Sequence, residues 1–170
     1  ECLINAVSRI KDKNFILNIF GDGSEKEKLL KLIKKKKLQK KIIYFKPLPF
    51  KKLRKFLFLT DATILFLKKG TALSNTLPAK IQTYISFGKP IIVSSDGEAK
   101  NFIKIHNLGY SSLAENDKDL SKIILKSIKI SKLKREKIFK NSKKIFYKKM
   151  ELNKWTHSLE NIFDEIIKKR

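Results

Sequence analysis

The sequence predicts an α/β protein with a doubly wound parallel sheet and a C-terminal helical extension. Short apolar runs rich in Ile and Phe recur along the first two thirds of the chain, and segments with helical periodicity separate them. The runs are apolar on both faces, which is typical of strands buried between two layers of helices. From about residue 133 onward, the periodicity is helical throughout.

We predict five strands, and right-handed crossovers should connect them in one parallel sheet. They are 15–20 (FILNIF), 41–45 (KIIYF), 62–67 (ATILFL), 90–94 (PIIVS) and, more faintly, 110–113 (YSSL).

The segments between the strands have the apolar spacing of amphipathic helices at 24–37, 50–59 and 117–130. Ser24 and Glu27 have the spacing of a capping box, so we expect the first of these helices to begin at Ser24. Residues 1–10 (ECLINAVSRI) are also helical in pattern, so we expect a strand to precede them.

The C-terminal part reads as two helices. The second carries an apolar stripe that we expect to dock on another surface: Trp155, Leu159, Ile162, Phe163, Ile166 and Ile167. We therefore predict one domain over residues 1–132 and a helical extension over 133–170, packed on this domain or on an absent N-terminal domain.

Composition bounds the class of protein. The 170 residues carry a formal charge of +24, contain one cysteine and include no apolar run of about 18 residues or signal-peptide pattern. We expect a soluble, intracellular protein. Lys accompanied by much Ile, Asn and Phe indicates compositional drift as the source of the charge. The alternative is a basic surface that binds anionic lipid or an acidic polymer.

Three loops after predicted strands have residues suited to an anionic ligand. In the first, Gly21-Asp22-Gly23 leads into a helix, and the alternative is that the glycines only form a tight strand-to-helix turn. The second is uncharged from Gly70 to Leu77 and leads into a helix with Lys80 in its first turn. A phosphate there would balance Lys80 and the helix dipole, whereas the alternative is one more exposed lysine.

The third loop follows the apolar run at 90–94. Asp96-Gly97-Glu98 could present a carboxylate and backbone N–H groups to sugar hydroxyls, or Ser95 or Asp96 could simply cap the next helix. His106 and His157 lie far apart and have no ligand at metal spacing, so we expect no metal.

Taken in order, these segments resemble the C-terminal domain of retaining glycosyltransferases with the GT-B fold, the glycosyl transferases group 1 family (family 4). The resemblance covers residues 1–129 and is closest to the branch of bacterial surface-polysaccharide enzymes. It is carried by LNIFGDGSEKEKLLKLI, IIYFKPLPFKKLRKFLFLTDATILFL, LPAKIQTYISFGKPIIVSSDGEAKNFI and NLGYSSLAENDKDLSKII.

The resemblance implies a Rossmann-like domain that binds a nucleotide diphosphate sugar, most often UDP-linked, and no metal cofactor. Pro47 and Leu48 would lie beside the base, and Gly21 and Gly23 near the nucleotide. The diphosphate would lie against Thr76, Leu77 and Lys80. The transferred sugar would lie at the catalytic position, toward Asp96, Gly97 and Glu98.

The chain departs from the family pattern at one position of that site. Thr83, and Asn75 before it, stand where the family has the two glutamates of E-x7-E, so Thr83 could contact the ribose only as a weaker substitute. The family's first strand, the basic loop after it and the acceptor-binding half would all precede residue 1.

We therefore expect the donor-binding half of a cytoplasmic glycosyltransferase, inactive without an N-terminal half. Its acceptor would be a cell-surface glycan or a lipid-linked sugar, at the inner face of the membrane, and no nucleic-acid partner is expected. The alternative is a non-catalytic basic module that binds RNA or an anionic membrane.

Overall fold

A computed structural model describes residues 1–70, 75–150 and 152–168. Helices and strands alternate in it, as the sequence predicts. In chain order they are α1 (Cys2–Ser8), β1 (Leu17–Phe20), α2 (Lys26–Lys35), β2 (Ile42–Phe45), α3 (Phe50–Leu59), β3 (Thr63–Phe66), α4 (Ala79–Phe87), β4 (Ile91–Ser94), α5 (Glu98–Ile105), β5 (Gly109–Ser112), α6 (Asp117–Ile128), α7 (Lys132–Lys149) and α8 (Leu152–Lys168).

All five predicted strands are present, and every strand pair is parallel. The hydrogen-bonded ladder has two parts, β1 with β2 and β3 with β4 and β5. Strand β4 lies in the middle of the second part, and all four of its residues are buried. Among the described residues, no backbone hydrogen bond joins β1 to β3.

Helices cover both faces of the three-stranded part, which is the doubly wound arrangement. On one face, apolar side chains of β3 and β4 pack against α4, α5 and α7, with Ile81, Ile85, Ile103 and Ile145 in the buried cluster. On the other face Ile92 packs with Ala6 and Ile10 at α1 and with Leu120 and Ile124 of α6.

The two-stranded part also has a helix layer on each face. Leu17 and Ile42 pack with α1 and with Ile33 of α2. On the opposite face, the rings of Phe20 and Phe45 stack with centroids 4.7 Å apart, and Phe56 of α3 meets the Phe20 ring at 4.8 Å.

Helix α1 packs against both parts of the sheet. Ile4 and Val7 belong to the cluster around β1 and β2, whereas Ala6, together with Ile10 just after the helix, belongs to the cluster around β4 and α6. Just after α1, Arg9 pairs with Asp117 of α6 at 2.8 Å, and this pairing lowers the pKa of the Asp117 carboxyl. Burial of apolar surface on both sides of one helix therefore joins the two parts.

The predicted capping box is wrong. Helix α2 begins at Lys26, and no side chain caps its N-terminus. The preceding turn is closed instead by Asp22, whose Oδ1 accepts the N–H of Gly23 at 3.0 Å and pairs with Lys26 at 3.4 Å. Because this turn holds the backbone before the helix, Ser24 lies too early to act as its cap.

The two C-terminal helices differ in their packing. Helix α7 packs against the domain, with Ile138 and Ile145 buried. In α8 the predicted stripe is exposed at Leu159, Ile162, Phe163, Ile166 and Ile167, and the side chain of Trp155 lies outside the described part. The predicted division at residue 132 stays a prediction. No helix in the described ranges is both long and apolar enough for a bilayer span.

We expect Ile4→Ala to lower the free energy of unfolding by about 2–5 kcal/mol, because it leaves a cavity where α1 meets β1 and β2. Ile4 is 2% exposed. Urea unfolding followed by circular dichroism measures the change. Leu59→Ala is the control, since Leu59 is 84% exposed and should lose little. Equal losses in the two variants would contradict the role assigned to α1.

Candidate functional site

The carboxyl ends of parallel strands meet at one edge of each part of the sheet, and the three candidate loops begin there. The register sets Phe20 opposite Phe45, and Phe66 opposite Ser94. The structure thus brings the Gly21 loop beside the Pro47 turn. It separately brings the loop before α4 beside the loop before α5.

The loop after β1 is held to strand β2 by two hydrogen bonds. The N–H of Gly21 donates to the carbonyl of Phe45 at 3.2 Å, and the Tyr44 hydroxyl donates to the carbonyl of Gly21 at 3.0 Å. Gly21 has φ +152°, which a residue with a side chain adopts only with strain, whereas Gly23 has no positive φ. The tight turn thus requires glycine at position 21, which is half-buried, whereas Gly23 is exposed.

The turn after β2 contains two of the predicted residues. Pro47 is exposed and Leu48 is half-buried, and α3 begins directly after Pro49. No side chain caps the N-terminus of α3. Because the register sets this turn beside the Gly21 loop, a planar base could lie against the backbone of both.

Helix α4 begins after Pro78, which is the N-cap residue and has no side chain that could cap the first turn. That first turn contains no acidic residue, and Lys80 in it is exposed. Thr76 is also exposed, whereas Leu77 packs against the core and anchors the loop. Backbone N–H groups and a lysine together suit an anion. Residues 71–74 of the predicted uncharged loop lie outside the described residues.

Thr83 lies one turn after Lys80 on the same side of α4, and its side chain is half-buried. Its backbone carbonyl accepts a hydrogen bond from the Ser86 hydroxyl at 2.7 Å. The neighbouring Tyr84 packs against the core, and burial raises the pKa of its hydroxyl. The structure therefore sets Thr83 between the exposed start of α4 and its buried face.

The loop before α5 is built on two buried serines. The Ser95 hydroxyl accepts the N–H of Gly97 at 3.2 Å, and Gly97 is the N-cap residue of α5. The alternative explanation of this loop, in which Ser95 or Asp96 is the N-cap of α5, is therefore wrong. Glu98 is exposed in the first turn of α5, where its charge stabilises the helix dipole.

The Asp96 carboxylate faces the loop after β5. Its Oδ1 accepts the N–H of Ala114 at 3.1 Å and lies 3.8 Å from the Lys100 ammonium. A carboxylate can accept several hydrogen bonds, so Asp96 can bond to the loop and also to a hydroxyl of a ligand.

Sequence reasoning missed the residues that brace this loop. The Ser94 hydroxyl donates to the carbonyl of Leu113 at 3.2 Å, and the N–H of Leu113 donates to Asp119 Oδ2 at 2.8 Å. Asn116 caps α6 by accepting the N–H of Asp119 at 2.9 Å. The one sequence signal is Asn116 three residues before Asp119, which is typical of a helix start.

We found no cluster of three His, Cys, Asp or Glu side chains that could hold a metal ion among the described residues. The expectation that this chain needs no metal stays a prediction.

Parallel strands whose carboxyl-terminal loops lead into helix N-termini define a Rossmann-like α/β domain. The chain belongs to the family described as "Glycosyl transferases group 1", whose match covers residues 1–145. The resemblance inferred from the sequence is thereby confirmed, and the matched residues include all the candidate loops. No curated protein sequence matches the chain.

Solved structures agree with this assignment. A glycosyltransferase from Rickettsia africae ESF-5 is 22% identical with a TM-score of 0.86, over 99% of this chain and 44% of that one. An Anabaena protein in complex with UDP-glucose is 15% identical with a TM-score of 0.80, over 96% and 44%. WaaG, a glycosyltransferase involved in lipopolysaccharide biosynthesis, is 14% identical with a TM-score of 0.69, over 88% and 39%.

These similarities show the fold, which is the C-terminal, Rossmann-like half of GT-B glycosyltransferases. The chain spans less than half the length of each of the three proteins.

We expect Gly21→Ala to lower the free energy of unfolding by about 1–3 kcal/mol, because alanine is strained at this φ. Gly23→Ala is the matched control. An added Cβ meets nothing within 4 Å at either position, so backbone strain is the difference between the two variants. Thermal or urea unfolding measures both. A loss for Gly23→Ala as large as that for Gly21→Ala would contradict this account.

Proposed function

We propose that this chain is the donor-binding half of a retaining glycosyltransferase and that it binds a nucleotide diphosphate sugar, UDP-linked, at its strand-end loops. The observation that carries the proposal is the start of α4. It has an uncapped N-terminus without an acidic residue and with Lys80 beside it, and it lies next to the Gly97 loop in the register of β3 and β4. Membership of the glycosyltransferase family supports the choice of ligand.

In this proposal each loop contacts one part of the donor. Pro47 and Leu48 lie along the base, and the backbone at Gly21 and Gly23 approaches the nucleotide. The diphosphate lies at the N-terminus of α4, where it contacts Thr76, Leu77 and Lys80. The sugar lies against Asp96, Gly97 and Glu98, while Thr83 faces the ribose.

The proposed chemistry is transfer of the sugar from the diphosphate to an acceptor hydroxyl. The bond between the anomeric carbon and the phosphate oxygen breaks, a bond to the acceptor oxygen forms, and the proton of the acceptor hydroxyl passes to the leaving diphosphate. Negative charge grows on the leaving diphosphate. Lys80 and the N–H groups at the start of α4 are placed to stabilise that charge, which is the electrostatic form of catalysis.

The acceptor is proposed to be a glycan or lipid-linked sugar, and an N-terminal GT-B half is proposed to bind it in the cytoplasm. The exposed apolar face of α8 supports the presence of a further domain, because such a face is suited to packing against one. The isolated chain should bind the donor without transferring its sugar.

Titration with UDP should perturb the backbone amide resonances of residues 21–24, 75–80 and 95–98. We expect Lys80→Ala to weaken UDP binding about tenfold, because it removes one charge-assisted hydrogen bond. Lys122→Ala is the control, since Lys122 is an exposed lysine on α6. Absence of shifts in all three loops, or equal weakening by both substitutions, would refute the proposed site.

We expect Thr83→Glu to strengthen UDP binding about tenfold, because a carboxylate would accept hydrogen bonds from the ribose hydroxyls. Thr83→Gln is the matched control, with the same length and no charge. Calorimetric titration with UDP measures both. Improvement by both variants would point to added contact area, and no improvement by Thr83→Glu would place Thr83 away from the ribose.

A further inference from the structure

A surface groove lies between helices α3, α4 and α7, and we call it the aromatic groove. Its two adjoining cavities measure about 560 and 430 Å³. Phe58, Phe87 and Phe139 line both cavities, and Phe50 lines the smaller one. None of these residues belongs to the proposed donor site.

Two helical stripes of alternating aromatic and basic side chains border the aromatic groove. On α3, Phe50, Arg54 and Phe58 follow one another at intervals of four residues. On α7, Phe139, Lys143 and Tyr147 have the same spacing, and Tyr147 lies one turn beyond the residues that line the cavities. Four residues is about one helical turn, so each stripe faces one direction.

The cation of each stripe lies over its own rings. The Arg54 guanidinium is 5.9 Å from the centroid of the Phe58 ring. The Lys143 ammonium is 5.6 Å from the Phe139 ring and 5.9 Å from the Tyr147 ring. These contacts hold charge and ring together at the surface.

The aromatic side chains of the stripes are exposed. Phe50 and Phe58 are each 57% exposed, Tyr147 is 52% exposed and Phe139 is 48% exposed. Several exposed rings grouped on one surface are suited to binding a partner.

The wall of the aromatic groove is fixed by a glycine. Gly88 ends α4 with φ +65°, and a Cβ there would collide with the ring of Phe139. The ring of Phe87 in turn contacts that of Phe58 edge-on, with centroids 4.9 Å apart. The backbone of α4 therefore sets the distance between the two stripes.

The charge around the aromatic groove is predominantly positive. The two cavities are lined by Arg54, Lys89, Arg135, Lys140 and Lys143, and by two acidic residues, Asp61 and Glu136. Asp61 is paired with Arg135 at 3.7 Å, which leaves the lysines to attract an anionic partner.

We propose that the aromatic groove docks the domain on an anionic phospholipid surface. Aromatic rings favour the headgroup level of a bilayer, and neighbouring Lys and Arg contact lipid phosphates. Phe and Arg are also enriched at protein–protein interfaces, but lysine is depleted there, and the three lysines that line this groove favour a lipid surface.

The position of the aromatic groove leaves the strand-end loops open. Asp61 and Pro90 precede β3 and β4, so the groove lies at the amino ends of these strands. The loops proposed to bind the donor lie at the carboxyl ends. Lipid docking and donor binding can therefore occur together, and one proposal can fail without the other.

The first test separates apolar insertion from general attraction of a +24 chain. We expect the full chain to sediment with vesicles of phosphatidylcholine and phosphatidylglycerol, and far less with phosphatidylcholine alone. The double variant Phe50→Ser/Tyr147→Ser keeps the charge and should weaken this binding about tenfold. Ile105→Ser is the control, because Ile105 is 70% exposed on α5. Equal binding of the double variant and the control would overturn the proposal.

The second test asks which cations matter. Arg54→Glu/Lys143→Glu and Lys34→Glu/Lys35→Glu change the net charge equally, but the second pair lies on α2. We expect only the first pair to lose vesicle binding beyond the effect of net charge. Equal losses would show general electrostatic attraction and overturn the proposal.

Fluorescence gives a readout of the surface that faces the lipid. In a Trp155→Phe background, Phe50→Trp should shift its emission to the blue on adding the anionic vesicles, whereas Ile105→Trp should not. Equal shifts at both positions, or none at residue 50, would contradict the proposal. If the chain bound an acidic amphipathic peptide but not the vesicles, the aromatic groove would be assigned to a protein partner instead.

Discussion

Helix α1 packs its apolar side chains against both parts of the sheet, and the position of every strand-end loop depends on this contact. No ladder joins β1 to β3 in the described residues, so side-chain burial takes the place of backbone hydrogen bonds there. Ile4 and Val7 pack against one part, and Ala6, with Ile10 just after the helix, packs against the other. Ile64 of β3 touches both clusters, so the two parts share one continuous apolar interior.

The candidate site has rigid and exposed components. Hydrogen bonds hold its loops in place, and they involve buried serines, the Tyr44 hydroxyl and the carboxylates of Asp96 and Asp119. Lys80, Thr76 and Glu98 remain exposed in front of them. This division suits the proposed binding of a donor, because loops already held in place lose less conformational entropy when a ligand arrives.

Positive charge and exposed apolar surface occur together at the aromatic groove, so some of the excess lysines have a proposed role there. Lysine is spread over most helices, so net charge alone indicates no particular partner. At α3 and α7 the cations alternate with exposed rings, and that arrangement combines electrostatic attraction with insertion. Compositional drift can supply the lysines, but it does not account for the register of Arg54 and Lys143 with the aromatic residues.

The sequence by itself determined the order of strands and helices, the three candidate loops and the family. These depend on local periodicity and on short motifs, which a linear chain displays directly. It did not determine that Gly21 has a positive φ while Gly23 does not, or that the Asp96 carboxylate accepts a hydrogen bond from the N–H of Ala114. Tertiary structure decided these, because each depends on a neighbouring strand or loop. The aromatic groove arises in the same way, since α3 ends at Leu59, α7 begins at Lys132, and both pack against α4.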